Sequence, residues 1–112
     1  MTTKTSCFEI ASAIPNDKLT EIETFANNFK ILSDPIRLKI IYLLRNGELC
    51  VCEIASSLNM SQPKISYHLK ILTECNLISR RTDWVWAYYS LTDNIQNWLT
   101  NNSNLLKLLE EE

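Results

Sequence analysis

The sequence predicts a mainly α fold carrying one β-hairpin, and three observations predict it. Apolar residues recur at helical spacing in five separate stretches. One stretch near the C-terminal end, Leu77 to Leu91, instead gathers β-branched and aromatic residues about a polar Thr82-Asp83 step, as a hairpin does. Two of the helical stretches, Cys50 to Leu58 and Ser61 to Glu74, follow each other with almost no linker, which is the spacing of a helix-turn-helix.

The first sixteen residues show little periodicity and run into Pro15-Asn16-Asp17, so they read as a flexible N-terminal arm. Leu19, Ile22, Phe25, Ala26 and Phe29 then fall on one face of a first helix. Ser33-Asp34-Pro35 ends it and opens the next, with Asp34 as cap and Pro35 in the first turn, where its missing N–H costs nothing. Ile36, Ile40, Leu43 and Leu44 form the inner stripe of this second helix, and Asn46-Gly47 closes it. In the third helix Ile54, Ala55 and Leu58 point inward. Ser61 caps the fourth and Pro63 is tolerated in its first turn. At 100° per residue Ile65, His68, Leu69 and Leu72 cluster on one side, leaving Pro63, Lys64, Ser66, Tyr67 and Lys70 on the other. Strands are expected at Leu77–Arg81 and Val85–Leu91. Asp93 opens a last helix to about residue 110, with Ile95, Trp98, Leu99, Leu105, Leu106 and Leu109 apolar and the run Asn101-Asn102-Ser103-Asn104 bending it.

Four helices, a hairpin and a terminal helix make a winged helix-turn-helix over residues 17–112, with the helix-turn-helix at about 50–75, the wing at about 77–91 and a dimerisation helix at about 93–110. The two outer helices carry more apolar surface than one small domain can cover, and a homodimer would bury it.

Charge agrees with a DNA-reading centre. The whole chain is −2, yet Ser33 to Arg81 holds seven basic residues against four acidic ones, a net of +3, so the remainder carries −5. A basic centre between acidic ends suits double-stranded DNA. Gln62, Lys64, Ser66, Tyr67 and Lys70 on the fourth helix, with Arg80 and Arg81 on the wing, are the candidate DNA contacts. No apolar run is long enough to span a membrane, and a cytoplasmic protein is expected. No nucleophile–base pair, phosphate loop or carboxylate pair suggests an enzyme.

Cysteine usage supplies a second chemistry. In a reducing compartment four cysteines are metal ligands, catalytic groups or buried fillers before they are disulfides. Cys50 and Cys52 stand one residue apart at a helix start. On a regular helix such residues point about 200° apart, so they can share one ion only if the helix begins between them or its first turn is distorted. Cys50 as cap, with Glu53 in the place of a capping-box acid, meets that condition. Backbone amides at the helix start are expected to favour thiolate. Soft thiolates suit trivalent arsenic or antimony, lead, cadmium or copper(I), whereas structural zinc wants four ligands.

Four segments together resemble the ArsR/SmtB family of winged-helix metal-sensing repressors over roughly residues 17–100: Asp34-Pro35-Ile36-Arg37-Leu38, Glu48-Leu49-Cys50-Val51-Cys52-Glu53, Ser61-Gln62-Pro63-Lys64-Ile65-Ser66-Tyr67-His68-Leu69 and Tyr89-Ser90-Leu91. The resemblance implies a dimer that holds an operator without metal and is released by its inducing ion, here arsenite or antimonite at Cys50 and Cys52. This chain departs from the family in four ways. Ala55 stands where arsenic-sensing relatives often have a third cysteine. Asp93-Asn94-Ile95 with no later histidine removes the zinc site of the last helix. The arm offers only Cys7 where cadmium and lead sensors have two cysteines. Thr82-Asp83-Trp84-Val85 replaces the usual glycine- or lysine-rich wing tip. The third sulfur is then Cys7, from either protomer, with Cys75 or an exogenous thiol or water as the alternatives. A thiol redox or persulfide switch and a cadmium or lead sensor remain the rival functions, and His68 reads as a packed core histidine.

Overall fold

The computed structural model describes residues 13–100, with α1 (Asn16–Leu32), α2 (Pro35–Leu44), β1 (Leu49–Cys50), α3 (Val51–Leu58), α4 (Gln62–Glu74), β2 (Ile78–Asp83), β3 (Trp86–Leu91) and α5 (Asp93–Thr100) in chain order. Most of the expected arm, Cys7 included, lies outside the described residues, as do the bend at 101–104 and Leu105, Leu106 and Leu109. Between Lys30 and Ile31 the chain divides into two compact units. In the first, α1 leaves its apolar stripe in solvent: Ile22 is 52%, Phe25 42% and Phe29 56% exposed.

The second unit is the winged helix-turn-helix. Asp34 caps α2 as expected, its Oδ1 accepting from Ile36 N at 2.8 Å and from Arg37 N at 3.4 Å, with Pro35 in the first turn. α3 ends at Asn59, which takes φ 55° and ψ 49° so that the chain reverses at once. Ser61 then caps α4, its Oγ accepting from Lys64 N at 3.3 Å. α4 ends at Cys75, Asn76 follows at φ 60°, and Leu77 N donates back to Leu72 O at 3.0 Å. Asn59 and Asn76 thus do the reversals that glycine usually does, asparagine tolerating this region better than most side chains.

The core gathers Leu32, Ile40, Ile41, Leu44, Ile54, Ala55, Ile65, Leu69, Leu72, Leu77, Ile78, Ile95, Trp98 and Leu99. The inner faces predicted for α4 and α5 are the buried ones, since Ile65, Leu69, Leu72 and Ile95 are fully enclosed and His68 and Trp98 nearly so. α2 is rotated slightly from its expected stripe: Ile41 is buried, while Ile36 and Leu43 are half-buried.

The sheet corrects the sequence reading twice. β3 is its central strand, in the order β1-β3-β2, and all pairs are antiparallel. The hairpin ladder runs from Ile78↔Leu91 to Asp83↔Trp86, so Thr82 and Asp83 belong to a strand and the reversal falls at Trp84-Val85. A two-residue loop leaves the flanking backbone groups paired. Its twist demands a left-handed residue, which Trp84 supplies at φ 62°. The reversal lies inside the expected tip Thr82–Val85, but beyond the polar Thr82-Asp83 step about which the strands are expected to turn. β1, pairing Leu49 with Tyr89 and Cys50 with Tyr88, was not foreseen, because two residues carry no readable alternation.

Candidate functional site

Cys50 is the last residue of β1 and the cap of α3, with φ −88° and ψ 167°. Because the helix starts at Val51, the opposed directions of a regular helix do not apply. The Cys50 and Cys52 sulfurs lie 2.8 Å apart, both as free thiols. Cys50 N donates to Glu53 Oε1 at 2.9 Å and the Glu53 N–H faces the Cys50 sulfur, so a thiol takes the place of serine in a capping box. Cys52 is exposed while Cys50 is buried, which puts the pair at a surface with one sulfur anchored.

The charge state of Cys50 differs from expectation. Sharing a hydrogen with the Cys52 thiol, burial and the Glu53 carboxylate push the Cys50 thiol up, and the Glu53 N–H opposes them without prevailing. The expected preference for thiolate at this helix start is reversed, because the neighbouring thiol and burial, aided by the carboxylate, outweigh one backbone amide. A bare cation that binds here must displace the thiol protons, so its affinity rises with pH. Among the described residues no third cysteine, histidine or carboxylate joins the pair in a metal-binding cluster, and Cys75 is separately placed as the cap that ends α4. Cys7 lies outside the described residues.

Around the thiols the structure gathers residues that the local sequence does not connect with them. An open cleft of about 280 Å³ is lined by Cys50, Val51 and Cys52 from the start of α3, by Gln62 from α4, and by Val85, Trp86 and Ala87 from the wing. The wing is also tied to this segment by charge: Arg81 Nε donates to Glu48 Oε2 at 3.1 Å and Arg81 Nη2 to Glu48 Oε1 at 2.6 Å. Glu48 directly precedes the β1 strand that pairs with β3. Only the pairing of β1 with the wing brings these groups together, and no local pattern announces it.

The second surface is the outer face of α4 and the base of the wing. Gln62, Lys64, Ser66, Tyr67, Lys70, Arg80 and Arg81 are all exposed, Tyr67 by 60%. Ser66, Lys70 and Arg80 line one cleft of about 260 Å³ together with Thr73, Glu74 and Tyr89, so α4 and the wing jointly offer a cationic groove. Gln62 lies at the other end of α4, beside the thiols. His68 faces inward at 5% exposure and accepts at Nδ1 from Arg37 Nε at 3.2 Å, which links α2 to α4 and keeps the ring off the reading face. Burial, with the charges of Arg37 and Lys64, holds its pKa below the usual histidine value despite Asp34. Trp84, 91% exposed, stands at the wing tip, whereas Trp98 is in the core. Among the described residues no helix is long and apolar enough to cross a membrane.

Comparison with known proteins agrees with this geometry. Residues 34–80 match the family described as "Bacterial regulatory protein, arsR family". The chain is 42% identical over 79 residues to the arsenical resistance operon repressor of Bacillus subtilis (strain 168), spanning 70% of this chain and 75% of the relative. It is 48% identical over 71 residues to the protein of the same name from Escherichia coli (strain K12), spanning 62% of this chain and 61% of the relative. A winged helix-turn-helix DNA-binding domain from Mycobacterium bovis, described as homodimeric and possibly of the ArsR family, superposes with a TM-score of 0.72. It is 23% identical and aligns over 87% of this chain and 91% of that one, a likeness of fold alone. The chain belongs to the ArsR family of bacterial regulatory proteins: it is a winged-helix transcriptional repressor and not an enzyme.

Proposed function

We propose that this repressor works in the cytoplasm as a homodimer that holds operator DNA without metal and releases it when trivalent arsenic or antimony binds Cys50 and Cys52, with Cys7 as third sulfur. The observation that carries the reading is the 2.8 Å approach of two thiols on the segment between the wing and α4. Both cited relatives bear the name of arsenical resistance operon repressors, and that name supports arsenic as inducer. The exposed stripe of Ile22, Phe25 and Phe29 supports a partner protomer on α1.

Arsenous acid and three thiols give a trithiolate and three waters, with no change of oxidation state. An ion bonded to both Cys50 and Cys52 sits between their sulfurs and forces them apart. Cys50 is anchored to β3 by strand pairing and to Glu53 by the cap, so the displacement falls on the start of α3. α3 is followed by α4 after a turn of three residues. Through Ile54, Ile65 and Leu69, buried together, the shift reaches the α4 face that carries Lys64, Ser66, Tyr67 and Lys70. Lys64, Lys70, Arg80 and Arg81 meet phosphates, while Gln62, Ser66 and Tyr67 meet base edges in the major groove.

The test is release of labelled operator during titration with arsenite, antimonite, lead, cadmium and zinc, with Cys50→Ser and Cys52→Ser beside the native chain. Arsenite and antimonite should release the native protein and neither variant, with operator affinity nearly unchanged by the substitutions. Normal release of either variant overturns the thiol assignment, and release by lead or cadmium alone transfers the inducer to those ions.

A further inference from the structure

The wing ends on a side chain that the fold gives no reason to place there. Trp84, at the two-residue reversal between β2 and β3, is 91% exposed and sits at φ 62°. Among the described residues the other non-glycine positions with positive φ are Asn59 and Asn76, and asparagine tolerates that region far better. Tryptophan at this position strains the backbone and buries almost none of its surface, so folding does not favour it over glycine or asparagine. Strain at an exposed tip points to a partner. Val85 beside it is 73% exposed, so both residues of the reversal are apolar and in solvent.

This tip continues the surface that faces DNA. Arg80, four residues earlier on β2, lines one groove with Ser66 and Lys70 of α4. Four residues of strand advance about 13 Å. A duplex turns once in roughly 34 Å, which sets the minor groove flanking the α4 site about 17 Å away, and the indole covers the difference. Charge restricts what the tip can do there. The run from Thr82 to Trp86 holds no cation, and Arg81, the nearest in sequence, is shared between Glu48 and Asp83. The tip is therefore not built to hold phosphates. It offers a duplex one flat apolar face.

We propose, on the DNA-binding reading above, that Trp84 is a wedge: its indole enters the minor groove flanking each half-site, slips between two base pairs and kinks the duplex. Apolar side chains inserted between base steps unstack them and bend DNA by roughly 20–90°. The opened base faces then stack on the indole, as bases do on aromatic side chains in single-strand binders. Pyrimidine–purine steps, TA and CA/TG, open most easily. Trp84 thus selects such a step in a flank that α4 does not touch.

The experiment uses the operator duplex that the native chain selects from a random library, with a fluorophore at each end. Native protein should shorten the end-to-end distance and make thymines at one flanking step per half-site reactive to permanganate, which attacks unstacked thymine. Trp84→Asn suits the left-handed backbone, so its urea midpoint should match or exceed the native one. It should nevertheless lose both DNA signals and bind about tenfold or more weakly. Trp84→Phe should keep both signals. Lys70→Ala at saturating protein should bend the duplex as the native chain does, since it lacks a phosphate contact and not the wedge. Exchanging the flanking step for a stiff AA step should weaken the native chain and move Trp84→Asn by less than about twofold. A straight duplex under native protein, or a bend kept by Trp84→Asn, overturns the wedge. If Trp84→Asn binds and bends DNA normally but no longer represses a reporter in cells, the tip takes a protein partner and the wedge falls. If the native chain selects no operator, the DNA-binding reading itself falls and takes the wedge with it.

Discussion

Arg81 and Glu48 grip each other across the base of the wing, guanidinium to carboxylate through two hydrogen bonds of 3.1 and 2.6 Å. The same guanidinium lies 4.8 Å from the centre of the Tyr88 ring, the residue that pairs with Arg81 in β2 and with Cys50 in β1. Each partner stabilises the charge of the other, holding the Glu48 carboxyl below and the Arg81 guanidinium above their ordinary values. Both groups are in solvent, so the pair contributes more to position than to stability. Arg80, by contrast, lies in the groove with Lys70 and Ser66.

The two neighbouring arginines should therefore differ on DNA. Arg80→Ala should make the logarithmic salt slope of operator binding shallower by about one unit, as the loss of one phosphate contact does. Arg81→Ala should change it by less, because a phosphate has to displace Glu48 first. Glu48→Gln should restore the full effect of Arg81. Fluorescence anisotropy from low to moderate salt measures all three, and equal slopes for the two alanine variants would contradict the pairing as a brake on Arg81.

Tyr67 and Ser66 should govern sequence preference more than affinity. Tyr67→Ala should relax discrimination at one operator position by about 1–3 kcal/mol while binding to unrelated DNA hardly moves. Selection from a randomised operator library reads this directly. An unchanged consensus would place α4 differently in the groove.

Acid should weaken the fold in two separate windows. His68 has a folded pKa below its unfolded value of 6.5, so the unfolded chain binds the proton first and stability declines as pH falls from about that value. Burial works to raise Asp34, but the Ile36 and Arg37 amides, with the charges of His68 and Arg37, hold it below its ordinary value of 3.8. Its contribution is therefore complete above 3.8 and is lost as pH drops further, through the folded pKa. Urea midpoints should fall between pH 7 and 5 for the native chain and flatten there in His68→Gln. Asp34→Ala should cost about 1 kcal/mol at neutral pH and remove part of the slope below pH 4. A native-like slope in His68→Gln would mean that another group titrates.

Inducer and operator should oppose each other reciprocally. If arsenite weakens operator binding a hundredfold, bound operator must weaken arsenite binding by the same factor, a coupling of about 2.7 kcal/mol. Arsenite titrations of free and operator-bound protein at one fixed pH and salt concentration test this. Equal arsenite affinity in both states would exclude allosteric release.

Local signals made most of this legible. Asp34-Pro35 and Ser61 announce their helices through side chains that satisfy nearby amides, and the spacing of Ile65, His68, Leu69 and Leu72 gives the buried face of α4 directly. The thiol pair was visible as a motif, together with the condition that the helix begin between the two residues. Non-local pairing was not legible. That Leu49 and Cys50 form a strand depends on Tyr88 and Tyr89, nearly forty positions on, and the wall of Val85, Trp86 and Ala87 beside the thiols depends on that pairing. Within the expected tip Thr82–Val85 the exact apex was not legible, because Trp84 adopts a left-handed conformation that tryptophan seldom takes, while polar Thr82-Asp83 fits a turn on composition alone.

The reversal at Asn59 has a mechanical consequence. Glycine there would reach the same φ of 55° freely and leave it as freely, giving slack between α3 and α4. Asparagine has fewer alternatives, and the Met60 N–H bonded to Ala55 O at 3.0 Å removes more. The joint therefore behaves as a bracket: a tilt of α3 turns α4 as a lever and is not absorbed in the corner. Asn59→Gly would then leave both end sites chemically intact and still blunt the response between them, separating the stiffness of the joint from the affinities it connects.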